Sequence, residues 1–120
     1  MTPTATNAAL TRLTRVRGVR CALVTSLGDA LPIDAAAHVD VDIDALSAFA
    51  TAVFRHGCLA GKASGYGTSH RFALDASGGR LAAVGRDDLL VVVLADRDTH
   101  PGLLRVSLQR ALEELTQGQP

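Results

Sequence analysis

The segment from Val41 to His56, VDIDALSAFATAVFRH, carries more apolar surface than a single helix interface uses. Ile43, Leu46, Ala50, Val53 and Phe54 recur at helical spacing and form one stripe. Ala45, Ala48, Phe49 and Ala52 form a second stripe beside it, leaving Asp44, Ser47, Thr51 and Arg55 as a thin polar remainder. An ordinary surface helix has one apolar stripe about 100° wide and a charged back. A helix apolar on two sides must be covered twice, and in a chain of 120 residues the second cover points to another protein. The alternative is a core helix lying under a loop. The Ala-rich stripe favours close approach of a second helix, as in a symmetric helix pair.

Length sets one domain over residues 1–120, with 1–5 and 117–120 expected to fray. Hydrophobic residues make up 48% of the chain, which excludes disorder, but aromatics make up only 3%. The core must therefore be built from Ala, Val, Leu and Ile, with Phe49, Phe54 and Phe72 as its large pieces. Lys plus Arg and Asp plus Glu both number 12, so the net charge is zero and the basic face that nucleic-acid binding requires is missing. Arg12, Arg15, Arg17 and Arg20 are a local cluster best read as a solvated face. Two cysteines, Cys21 and Cys58, make no disulfide framework. The N-terminus has no signal-peptide pattern, and no run approaches the about 18 apolar residues of a membrane span. The expectation is a reducing, cytoplasmic setting with no membrane insertion.

Along the chain, Thr6 or Asn7 is positioned to cap a first helix with Ala9, Leu10, Leu13 and Val16 inward, and Gly18 to end it. Val19 to Leu27 alternates as a strand. Gly28-Asp29 signals a turn, and Ala30 to Asp34 a return strand that Pro32 confines to a sheet edge. Asp42 caps the double-striped helix, which should end between Gly57 and Ala60, with Gly61 to Thr68 as a loop. Ser69 to Ala76 is a strand with His70, Phe72, Leu74 and Ala76 on one face and Arg71, Ala73 and Asp75 on the other. Arg80 to Val84 follows, closed by Gly85. Leu89 to Ala95, LLVVVLA, has the unbroken apolar pattern of a strand buried on both faces. Pro101 opens a last helix with Leu104, Leu108, Ala111, Leu112 and Leu115 inward. The order α-β-β-α-β-β-β-α gives a three-layer α/β/α unit on an antiparallel sheet.

The chemical motifs are weak. GCLAGKAS, from Gly57 to Ser64, is not a phosphate loop: three residues separate its glycines where four are needed, Ala63 replaces the Ser or Thr after Lys62, and a helix precedes it. His56, Cys58 and His70 match no compact zinc spacing. Ser26, Ser64 and Ser69 lie near turns without a nucleophile-elbow context. Asp87-Asp88 and Glu113-Glu114 are neighbours in sequence and do not share a face. The expectation is a non-enzyme with no catalytic, metal or cofactor-binding residues and no cofactor.

The pattern as a whole resembles the Roadblock superfamily, named for a dynein light chain, and within it the bacterial MglB-like proteins. The resemblance rests on Arg17-Gly18-Val19 leading into the first strand, on Ala22-Leu23-Val24 followed by Ser26 and a Gly-Asp turn, and on Asp44-Ala45-Leu46 opening an Ala-rich helix. Gly79-Arg80-Leu81, DLLVVVLA from Asp88 to Ala95, and PGLLRVSLQRALEEL from Pro101 to Leu115 complete it. The family carries Asp-Gly at the first hairpin where this chain has Gly28-Asp29, leaving the turn type open. The resemblance implies a profilin-like fold with strand order 2-1-5-4-3, the central helix on one face and the terminal helices on the other. It also implies a homodimer through the central helix and third strand, with Ala45, Ala48, Phe49, Ala52, His56, His70 and Phe72 at the interface. The implied partner is a Ras-like small GTPase, with Ser47, Thr51, Arg55 and Arg71 as its docking surface. MglB-like members stimulate their GTPase by remodelling it rather than by supplying an arginine finger. The competing class is a small-molecule sensor of related fold. Such a sensor needs a pocket with convergent polar groups, and the buried stretches of the sequence offer almost none.

Overall fold

The computed structural model of the chain describes residues 3–117. In order, the elements are α1 (Pro3–Thr14), β1 (Val19–Ser26), β2 (Pro32–Ala37), α2 (Ile43–Ala63), β3 (Arg71–Ala76), β4 (Gly79–Arg86), β5 (Leu89–Ala95) and α3 (Pro101–Gln117). The five strands form one antiparallel sheet in the order β2-β1-β5-β4-β3. This is the expected order. β5 sits at its centre, as its unbroken apolar run requires, and Pro32 lies on an edge strand.

Period-two alternation divides the core between the two faces. Val19, Ala22, Val24, Ala82, Val84, Val91 and Val93 meet Leu10 and Leu13 of α1 and Leu104, Leu108, Leu112 and Leu115 of α3. On the other face Leu23, Leu81, Ala83, Leu90 and Val92 meet Ala50 and Phe54 of α2. A single helix thus packs on one face of a five-stranded sheet, which leaves the flanks of α2 open.

Several boundaries depart from the sequence expectation. Helix α1 starts at Pro3, before Thr6 and Asn7. Proline suits a first helical position because its missing N–H has no intrahelical partner there. Of the ends expected to fray, residues 1–2 and 118–120 lie outside the described residues, whereas 3–5 and 117 are helical. Strand β2 runs on through Ala35, Ala36 and Ala37, in register with Leu23, Ala22 and Cys21. The first hairpin places Ala30, not Gly28, in the left-handed region with φ 61°, and Ala30 N donates to Ser26 O at 2.8 Å.

Helix α2 passes through both Gly57 and Gly61, where sequence reasoning ended it. The returning chain explains this. A Cβ on Gly61 would lie 2.6 Å from the carbonyl oxygen of Gly67, and Gly57 faces Ser69 Oγ. Glycine's cost of about 1 kcal/mol in a helix is accepted here for close approach of backbone to backbone. Gly65, at φ +81°, then closes the helix, and the N–H groups of Tyr66 and Gly67 donate to Gly61 O. Strand β4 likewise continues through Gly85, against which the ring of Phe54 packs.

Candidate interaction surface

The site starts from the two sides of α2. Asp42 caps it, its side chain accepting from Ala45 N at 3.0 Å. The inner row is Ser47, Ala50, Thr51 and Phe54, all buried. Ile43 and Leu46 pack half-buried against the same cluster.

The burial of Ser47 and Thr51 corrects the expectation that they belong to a docking surface: both are 0% exposed. Ser47 Oγ donates to the carbonyl of Ala30 at 2.8 Å and is hydrogen-bonded to Thr25 Oγ1, which also bonds Leu31 O at 3.0 Å. A hydroxyl turned inward therefore ties α2 to the β1–β2 turn by giving the Ala30 carbonyl a donor.

Arg55 is exposed, but its guanidinium donates to the carbonyls of Leu27 and Gly28 and braces the same turn. Arg71 lies on the α3 side of the sheet, beside Leu104 and Arg105. Ser47, Thr51, Arg55 and Arg71 thus do not form one surface.

The outer row of α2 is a different matter. Ala45, Ala48, Phe49, Ala52 and His56 are all exposed, Phe49 by 51%. Leu59 continues the row at 62% exposed. The sequence signal for Leu59 was its spacing of three from His56, which fell in the window from Gly57 to Ala60 where the helix was expected to end. Beside α2, His70 is exposed, Phe72 packs half-buried against the α2-side core, and Leu74 is 43% exposed. Strand β3 is the sheet edge, bonded to β4 alone among the described residues. An apolar helix flank thus stands next to an edge strand with free backbone donors and acceptors. Both features invite cover by another chain.

Cys21 is buried in β1, which pushes its thiol up from the ordinary range. Cys58 Sγ contacts the carbonyl of Ser69 at 3.8 Å. Among the described residues, no group of three or more His, Cys, Asp or Glu could hold a metal ion, and no helix is long and apolar enough to cross a membrane.

No protein-family model matches the chain, and no curated protein matches it in sequence. Solved structures do match it in form. MglB of Myxococcus xanthus superposes with a TM-score of 0.87 at 20% identity, over 98% of this chain and 96% of that one. A Roadblock/LC7 domain from Streptomyces avermitilis gives 0.84 at 19% identity, over 92% and 93%. An MglB with a tetrameric arrangement gives 0.87 at 16% identity, over 95% and 87%. The chain has the Roadblock/LC7 fold.

Proposed function

We propose that the chain is a non-enzymatic, homodimeric platform that binds and regulates a Ras-like small GTPase in the cytoplasm. The observation that carries this is the exposed row Ala45, Ala48, Phe49, Ala52, His56 and Leu59 beside the open edge of β3. Pairing two copies antiparallel through α2 and edge to edge through β3 covers both features at once. It joins the two sheets and removes an edge that would otherwise recruit other strands. The likeness to MglB structures, one of them of a tetrameric arrangement, supports self-association. The GTPase partner follows from the Roadblock-type resemblance, and regulation would act by reshaping the partner rather than by inserting a catalytic side chain.

The test is capture from native lysate by the tagged protein, with a GTP analogue or with GDP, read by mass spectrometry. The expected result is a Ras-like GTPase enriched in one nucleotide state and absent with Phe49→Asp. Absence of any such GTPase in both states, from a bait that is dimeric, overturns the partner assignment.

A further inference from the structure

Alternation along β3 separates two surfaces. Phe72 and Leu74 face the α2 side, whereas Arg71, Ala73 and Asp75 face α3. On that second face the register sets Ala73 opposite Ala82. Two methyl groups stand where larger side chains would reach α3, and they leave a cleft of about 330 Å³ between the strands and the helix. Its apolar wall includes Val84, Leu104 and Leu108.

Three guanidiniums line this cleft, those of Arg71, Arg80 and Arg105, against the single carboxylate of Asp75. The lining charge is therefore +2, three positive minus one negative. Arg80 Nε donates to Asp75 Oδ1 at 2.5 Å, but its Nη1 is buried with no hydrogen-bond partner among the described residues. Arg71 and Arg105 are exposed at the rim, with no side-chain hydrogen bond or ion pair to any described residue. Arg80 is thus paired with Asp75 beneath the cleft, and the uncompensated charge at its mouth is that of Arg71 and Arg105. Apolar walls lower the local dielectric and strengthen the attraction of that charge for an anion. The cleft's size lies at the low end of the range for small-molecule sites.

We infer that the cleft binds a small organic carboxylate with an apolar body, of medium-chain acyl type. The head group is held at the rim by the exposed guanidiniums of Arg71 and Arg105. The acyl body lies over Ala73 and Ala82 against Leu104 and Leu108. The site is built within a single chain and does not depend on the GTPase-platform reading. It also uses the opposite face of β3 from Phe72, so a dimer through α2 and β3 leaves this face of the strand free.

The test uses decanoate as probe, titrated to about 5 mM into isotopically labelled full-length protein and followed by NMR. The expected result is a saturable shift confined to Ala73, Ala82, Val84, Leu104 and Leu108. Affinity should fall at least about tenfold in the double variant Arg71→Gln/Arg105→Gln and in Ala73→Leu, which fills the cleft from an exposed position. Decanol, of equal length and uncharged, should bind at least about tenfold more weakly than decanoate. The inference is overturned if decanoate gives no saturable shift, if its shifts centre on α2, if both folded variants bind like the parent, or if decanol binds equally well.

Discussion

A Cβ placed on Gly85 of β4 would stand 2.7 Å from Cζ of Phe54 on α2. Helix and sheet have approached as far as a residue without a side chain allows. Gly85→Ala should therefore push Phe54 off its seat and cost about 1–3 kcal/mol, measured by urea unfolding. Phe54→Leu alone also costs stability, but in the double variant the two effects should sum to less than their total, because one relieves the other. Strict additivity would mean that the ring and the glycine do not share the contact.

Ser47 gives the second prediction. Its hydroxyl is buried, serves the Ala30 carbonyl and is bonded to Thr25 Oγ1. Ser47→Ala removes a donor and leaves a carbonyl of the β1–β2 turn without that partner. The expected loss is about 1–3 kcal/mol. Amide hydrogen exchange should rise at Ala30 and Leu31 while the rest of the sheet keeps its protection. If Ser47→Ala is neutral, water replaces the hydroxyl and the turn does not depend on α2.

The third concerns pH. Arg20 Nε and Nη2 donate to the two carboxylate oxygens of Asp96 at 2.9 and 3.0 Å. These hydrogen bonds hold the Asp96 carboxyl below its ordinary value and raise the guanidinium. A carboxyl whose folded pKa is depressed contributes stability above its unfolded pKa of about 3.9 and loses it as pH falls through the folded value. Arg20→Met should therefore move the Asp96 titration, followed by carbon NMR, upward. Its stability deficit at pH 7 should shrink in acid below that range. The pair is largely solvent-exposed, so the deficit at neutral pH should be small.

These residues also mark where the sequence was readable. The central strand was legible because LLVVVLA has no polar position, and α3 because Pro101 and five inward leucines and alanines keep one period. Strand order came from resemblance, since periodicity does not say which strands pair. Ser47 and Thr51 were assigned outward because they are polar. The partners of Ser47, Ala30 and Thr25, lie 17 and 22 residues away in sequence. Gly57, Gly61 and Gly85 signal breaks locally, yet Gly61 and Gly85 are small because Gly67 and Phe54 approach them from elsewhere. The outer row of α2 was legible as far as His56, and Leu59 was missed because it fell where the helix was expected to end, between Gly57 and Ala60, whereas the helix runs on to Ala63. The arginine-lined cleft was illegible because it depends on the register that faces Ala73 with Ala82.

The last prediction follows from that outer row. Phe49 is half exposed, and its neighbours Ala45, Ala48 and Ala52 are small enough for a second helix to come close. If two α2 helices pair there, Phe49 is the natural anchor of the interface. Replacing an anchor typically costs about 2 kcal/mol or more of association energy. Phe49→Asp adds a buried charge to that loss, and Ala48→Arg holds the helices apart. Light scattering at micromolar concentration should give a dimer mass for the parent chain and a shift towards monomer for both variants. Arg12→Glu is the control. Arg12 pairs with Glu114 across α1 and α3, on the far side of the sheet, so reversing its charge should loosen that contact and leave the dimer intact. A monomeric parent, or equal dimerisation of all three variants, would place the interface elsewhere. The uncovered flank of α2 would then need a different partner.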